Sequence, residues 1–366
     1  MSKHNQQNIR IRYEYLTFLR EAKRQSEASL DAANKAICRF EEYNRHKDFR
    51  QFQHQQAIGF KKNLTKVKAE QSGKPLSKST VNGTLNHLKA FFQWLAIQSG
   101  YKSKIQYSDA EYFHLSEKDT RVATAKREKP VPTLDQIMHT IRHMPSATSI
   151  AKRDRALVAF TILTGARDKA ITTFKLKHID LAAQCLHQDA REVDTKFGKT
   201  FDTFFFPVGD EIEDIVKNWV TFVREQLLWS ETDPLFPSTK MQLDDNRLFT
   251  ASGLSREHWK DAGPVRRIFK DAFNKAGLPY FNPHSFRNTL ALIAGSMCTS
   301  PSEYKAWSQN LGHENVLTTL TSYGNIPTSQ QGAIIRDLAR PAVHADIHAI
   351  EAVEGLLKKL KRQSYV

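Results

Sequence analysis

The chain has 366 residues, 40% of them hydrophobic and 25% charged, with a formal net charge of +15. That length exceeds what one hydrophobic core usually spans, so two domains are expected, each with enough apolar material to fold. The cationic excess favours a polyanionic partner through phosphate neutralisation and counterion release, although RNA or an anionic membrane would be served by charge alone.

Three cysteines, Cys38, Cys185 and Cys298, are far apart and form no CxxC pair, which argues against a disulfide framework or a zinc finger. The first seven residues are polar and lack the apolar stretch of a signal peptide. The longest apolar run, around 157–166, is too short and too interrupted by threonine to span a bilayer. A soluble cytoplasmic protein without membrane contact is expected.

Residues 8 to about 100 carry helical apolar spacing. Ile9, Tyr13, Leu16, Phe18 and Leu19 mark a first helix, and Leu30, Ala33, Ile37 and Phe40 a second. A third passes through Phe52, Ala57, Ile58, Phe60 and Leu64. The fourth begins after Ser77 or Ser79-Thr80, carries Val81, Leu85, Leu88, Phe91, Phe92, Trp94 and Leu95, and ends at Gly100. Lys61, Lys62, Lys66, Lys68, Lys74 and Lys78 crowd the third helix and the loop after it. They suit a solvated face or a phosphate-tracking surface equally well.

Periodicity fades between Tyr101 and Pro132, where Lys118, Arg121, Lys126, Arg127 and Lys129 make the segment basic. The expected division is an N-terminal helical domain over 1–115, a basic linker over 116–132, a second domain over 133–340 and a C-terminal helix or tail over 341–366. The second domain opens with a helix at Thr133-Leu134-Asp135 and continues with an apolar helix over 150–164 stopped by Gly165. Thr203-Phe204-Phe205-Phe206 reads as a short aromatic strand, with a hairpin turn at Phe197-Gly198. Helices are expected at about 210–228, 264–276, 284–297, 302–310 and 315–323. The 343–361 stretch gathers Ile347, Ile350, Val353, Leu356, Leu357 and Leu360 on one side. The fold class is mainly α with a small β-sheet.

Several residues late in the chain, with one well upstream, suit metal-free phosphodiester chemistry. His284 and Arg287 lie at i and i+3 on a helix announced by Asn282-Pro283, so both project from one face. A guanidinium fork donates two parallel charge-assisted hydrogen bonds to a phosphate. Arg167 follows the Thr164-Gly165 turn, from which a side chain can enter a cleft. His313 follows Leu311-Gly312, and Tyr323 follows Thr318-Thr319. A phenol of pKa about 10 needs neighbouring cations and a proton acceptor before it can attack. Lys196 and Lys199 flank the expected turn, where a lysine can protonate a departing oxygen. Taken singly, each of these residues has an ordinary structural role: a surface salt bridge, a helix cap, a loop histidine, a packed tyrosine or a solvated lysine.

The ordered set Thr-Gly-x-Arg, hairpin lysine, His-x-x-Arg, Leu-Gly-His and Thr-Thr-x-x-x-Tyr resembles the tyrosine recombinase (phage integrase) family over about 130–325. The resemblance implies a helical core-binding domain before a mixed α/β catalytic domain. It implies that Arg167 and Arg287 hold nonbridging oxygens of the scissile phosphate, and that Lys196 is the general acid for the 5′-oxygen. His284 would assist proton transfer at Tyr323, His313 would hydrogen-bond the phosphate, and Tyr323 would form a 3′-phosphotyrosine bond. No cofactor or metal is implied. The partners are double-stranded DNA bearing specific recombination sites and further copies of the chain, four of them on two synapsed sites.

Members often carry an acidic residue three positions after the first arginine; Ala170 stands there, with Asp168 nearer, so support for Arg167 must come from elsewhere. The expected function is that of a site-specific recombinase, the integrase of a mobile element. A type IB topoisomerase-like nicking and closing enzyme shares the chemistry. A non-catalytic DNA-binding regulator would retain the fold, and a zinc hydrolase built on His284 and His313 is more distant.

Overall fold

The computed structural model describes residues 5–68, 73–125, 130–243 and 248–313. Thr318, Thr319, Tyr323 and the 343–361 stretch lie outside the described residues, as do Lys126, Arg127 and Lys129. The chain divides into two compact units, Met1–Arg127 and Glu128–Val366. Among the described residues it is mainly helical with two small sheets, and no helix is long and apolar enough to cross a membrane.

The first unit holds α1 (Gln6–Thr17), α2 (Glu27–Tyr43), α3 (His54–Leu64), α4 (Lys78–Leu95) and α5 (Glu117–Thr124). Ser26 and Ser77 cap α2 and α4 by accepting from the Ser29 and Thr80 amides. Phe40 is the centre of an aromatic core, with Phe52, Phe60, Phe92 and Phe113 rings 5.2–5.9 Å away. Burying each such ring contributes on the order of 2 kcal/mol.

The buried face of α1 differs from the expected one. Asn8, Ile11 and Tyr15 point inward, while Ile9 and Tyr13 are exposed. Asn8 is selected by polar contacts: its Nδ2 donates to the Lys47 carbonyl at 2.9 Å and its Oδ1 accepts from the Phe49 amide at 3.0 Å. Helix α4 ends at Leu95, before Gly100. Within the stretch expected as a linker, residues 117–124 form α5, capped by Ser116 and tied to α4 by Lys78–Asp119 at 2.6 Å. Lys61 donates to the carbonyls of Tyr112 and His114. Two lysines of the basic cluster thus brace the unit itself.

The second unit begins with α6 (Leu134–Arg142), started by a reciprocal Thr133–Gln136 capping box, and α7 (Ser149–Thr164). After the one-turn α8 (Asp168–Ile171), β1 (Ile179–Asp180), β2 (Cys185–Gln188) and β3 (Phe201–Phe204) form an antiparallel sheet in that order. Leu186 pairs with Ile179 and Thr203, and His187 pairs with Asp202. Only Thr203 and Phe204 of the aromatic run lie in β3; the Phe206 amide bonds to the Leu163 carbonyl, turning the chain onto α7.

Helix α9 (Asp210–Thr221) precedes a ribbon of β4 (Thr239–Leu243) and β5 (Phe249–Leu254). The ribbon is an addition to the expected elements: its strands bury neither face and so carry no inward apolar alternation. Helices α10 (Gly263–Lys275), α11 (Pro283–Met297) and α12 (Pro301–Asn310) follow. The core of the unit gathers around α7, which is buried continuously from Ala156 to Thr164.

Candidate active site

A helix buried on all sides must end inside the protein with its last carbonyls satisfied. Helix α7 does so at Gly165, whose φ of +58° places it in the left-handed region and whose amide donates to the Thr161 carbonyl at 2.9 Å. A Cβ on Gly165 would lie 3.0 Å from Leu290 and from Leu311 side-chain carbons. Close packing and backbone conformation therefore both call for glycine. The tight stop delivers Arg167, half-buried, as the extended residue that begins α8. Its neighbour Asp168 does not pair with it: the Asp168 carboxylate accepts from Arg266 Nε at 2.8 Å, bracing α8 against α10.

Helix α11 starts with Asn282 accepting from the Ser285 amide and Pro283 in its first turn. His284 and Arg287 follow one turn apart, with Arg287 only 2% exposed. Its Nη1 donates to the Gly165 carbonyl, and its Nη2 to the Leu311 carbonyl and to His313 Nε2, the last at 3.1 Å. One guanidinium thus joins the end of α7, the start of α11 and the loop after α12. With Nε2 accepting, the neutral His313 ring carries its proton on Nδ1.

Asn310, which the sequence did not mark, fixes that loop. Its side chain exchanges two hydrogen bonds with the Phe204 backbone, at 2.7 and 2.8 Å, as a paired strand would. Its carbonyl accepts from Thr203 Oγ at 3.1 Å. Gly312 adopts φ +68°, and a Cβ there would fall 2.6 Å from the Phe201 ring. Gly312→Ala is therefore expected to destabilise the protein by roughly 1–3 kcal/mol and to displace His313, measurable as a lower urea midpoint with reduced activity.

Burial first, then Arg287 and Arg167, push the His313 imidazole down to about 3. Crowding around His284, then Arg287 and Arg167, push it down to about 4, although its outer edge stays open to solvent. Lys196 acts on His284 in the same sense, and Lys199 on His313. Both rings are therefore neutral at pH 7.

A histidine with a folded pKa below its unfolded value of about 6.5 stabilises the fold fully above pH 6.5, and that stability is lost on acidification. His313 alone is expected to cost on the order of a few kcal/mol between about pH 6.5 and 3. Burial shifts His178 and His258 of the same unit in the same direction. Thermal melts from pH 7 to pH 4 should show a steadily falling Tm, and His313→Gln should flatten the slope.

The expected tight hairpin is a longer connection between Gln188 and Phe201. Within it the Gly198 amide donates to the Thr195 carbonyl at 3.3 Å, closing a β-turn through Lys196 and Phe197. Lys196 is exposed, with Nζ 4.8 Å from the Phe197 ring centroid. Arg287 and His313 are in direct contact and His284 lies one turn before Arg287, while Arg167 is near enough to lower both imidazoles, Lys196 to act on His284 and Lys199 on His313. Tyr323 lies outside the described residues. One group of potential metal ligands occurs among the described residues: Cys185, His187 and Asp202, with donor atoms within 4.8 Å of one another. None of the six expected site residues belongs to it, and its His187 already hydrogen-bonds Asp202 at 2.8 Å.

Residues 131–328, more than half of the chain, match the model of the phage integrase family. Tyrosine recombinase XerC of Lactobacillus delbrueckii subsp. bulgaricus is 25% identical over 254 residues, spanning 68% of this chain and 72% of that protein. XerC of Lactobacillus leichmannii is 25% identical over 255 residues with the same coverage. Among solved structures, a lambda integrase dimer bound to a COC′ core site superposes with a TM-score of 0.57 at 16% identity, covering 87% of this chain and 95% of that one. The Tn1549 transposon integrase in complex with transposon right end DNA gives 0.52 at 16% identity, covering 90% and 99%. A lambda integrase tetramer bound to a Holliday junction gives 0.56 at 15% identity, covering 86% and 79%. At these identities the structural likeness establishes the fold.

Proposed function

The chain belongs to the phage integrase family, enzymes that cleave and rejoin DNA, and we propose that it recombines specific DNA sites through a 3′-phosphotyrosine intermediate. The observation that carries this reading is the contact of Arg287 with His313, with Arg167 near enough to lower both His313 and His284. Such a cluster can bind a phosphodiester and stabilise the charge that grows on its equatorial oxygens without a metal.

In the proposed step, Arg167 and Arg287 hold the nonbridging oxygens and His313 hydrogen-bonds the phosphate. The Tyr323 hydroxyl attacks phosphorus, its proton passing to His284. The P–O5′ bond breaks, and the leaving 5′-oxygen takes a proton from Lys196. One phosphodiester replaces another, so the bond energy is retained and a 5′-hydroxyl can reverse the step without ATP.

The depressed histidines give the step a built-in order. An imidazole held near 4 by burial, and then by neighbouring cations, is a poor base for a phenol of pKa about 10. Binding the anionic phosphate offsets the part of that shift that the cations cause, and so favours proton uptake by the imidazole.

The proposed biological role is the integrase of a mobile element, four copies acting on two synapsed sites. Its support is the likeness to lambda and Tn1549 integrases, one of them a tetramer on a Holliday junction. The 343–361 stretch, with its apolar side, is proposed to dock on a neighbouring copy. Deleting residues 341–366 should impair assembly on DNA by gel shift; unchanged assembly would reject that role.

The experiment for the function uses a nicked suicide duplex bearing the site that the full-length protein selects from random-sequence duplexes. An SDS-stable adduct on the 3′-phosphate, formed in EDTA, is the expected result. Absence of any adduct would leave a DNA-binding regulator as the better account. Relaxation of any supercoiled plasmid, without exchange between two selected sites, would favour the topoisomerase-like reading.

A further inference from the structure

Phe197 is placed where a phenylalanine is costly on two counts. Its φ of +65° and ψ of +20° are left-handed, a region that glycine enters freely and a bulky side chain does not. Its side chain is also 81% exposed, more than any other large hydrophobic residue described. The turn gives no compensating burial, and Gly198 beside it shows that glycine is already used at this bend. An aromatic ring held out in this way is available for a contact outside the folded chain.

Its surroundings indicate which use. Lys196 precedes it with Nζ 4.8 Å from the ring centroid, and Lys199 follows two residues later. These lysines are the cations of the loop that act on His284 and His313, so the turn lies within electrostatic reach of the two imidazoles. A duplex whose phosphate reaches them presents deoxyribose faces and base edges to the turn. An apolar ring can pack there as aromatic and aliphatic wedges do in DNA grooves.

We propose that Phe197 is a positioning residue: it seats against the duplex beside the scissile phosphate and sets the Lys196 ammonium next to the leaving 5′-oxygen. The inference rests on the recombinase reading of the pocket. It adds a contact that couples docking of DNA to delivery of the proton, because ring and ammonium are adjacent on one turn. The ring–ammonium contact also narrows the range of an otherwise mobile lysine side chain.

Three full-length proteins test it on the suicide duplex: wild type, Phe197→Gly and Phe197→Tyr. Glycine accepts φ +65°, so Phe197→Gly should melt at or above the wild-type temperature while losing about tenfold or more in single-turnover adduct formation at saturating duplex, the scale of one aromatic–nucleotide contact. Phe197→Tyr should stay near the wild-type rate. A second duplex with sulfur replacing the bridging 5′-oxygen releases a thiolate, which leaves without being protonated. On it, Phe197→Gly should recover most of its loss, as Lys196→Ala should.

A wild-type rate for Phe197→Gly on the oxygen duplex would overturn the proposal, as would an equal loss on both duplexes. A wild-type chain forming no adduct would overturn the recombinase reading along with it.

Discussion

Tyr323→Phe should abolish the SDS-stable protein–DNA adduct while leaving duplex binding nearly intact. The substitution removes one oxygen and keeps the ring, so whatever packing the side chain makes is largely preserved. The missing atom is the one proposed to bond to phosphorus, and no covalent intermediate forms without it. Removing a nucleophile in a preorganised site lowers rates by about 10⁶-fold, which here means below detection. Tyr323 is the only tyrosine that closely follows His313; the next is Tyr365. An adduct that persists in Tyr323→Phe would therefore redirect the assignment to another tyrosine, and peptide mapping of the labelled protein would identify it.

Arg287→Ala is expected to lose both activity and stability, which sets it apart from Arg167→Ala. The Arg287 guanidinium donates to the carbonyls of Gly165 and Leu311, both at buried positions, and to His313. Its removal leaves those acceptors unsatisfied, at roughly 1–3 kcal/mol each. It also unties the loop that carries His313 from the end of α7. Arg167 makes no side-chain hydrogen bond among the described residues and is half-buried. Arg167→Ala should therefore keep a near-wild-type urea midpoint. Each arginine removed should lower adduct formation by roughly 10²–10³-fold, the worth of one preorganised donor to a developing oxyanion. Arg287→Lys should restore little, since an ammonium cannot span the two carbonyls that the planar fork reaches. Equal midpoints for Arg287→Ala and wild type would show that the carbonyl bonds do not hold the pocket together.

Local signals were legible wherever one element sufficed to decide them. Thr133, Ser77 and Asn282 cap helices where their side chains dictate, and Gly165 stops α7 through its own left-handed backbone. The inward face of α2 matches Leu30, Ala33, Ile37 and Phe40, because that helix buries one apolar stripe. The buried face of α1 departs from its apolar spacing because Asn8 is buried for two hydrogen bonds that only the folded Lys47–Phe49 stretch provides. The β4–β5 ribbon leaves no apolar alternation in the sequence for the opposite reason, since neither of its faces is buried. The Lys61–Lys78 cluster could not be divided by composition, because Lys61 finds carbonyls about fifty residues onward and Lys78 finds Asp119.

The amino-acid order by itself offered the site candidates Arg167, Lys196, His284, Arg287, His313 and Tyr323. It also set the helix boundaries that carry several of them, since caps, turns and apolar spacing act within a few residues. Only the tertiary structure decided that Arg287 binds carbonyls 122 and 24 positions away, that Asp168 is held by Arg266 and that Asn310 completes the edge of β3. It also lowered both imidazoles below the ordinary histidine range. Those outcomes depend on burial and on charges brought together from distant segments, and no spacing along the chain encodes either.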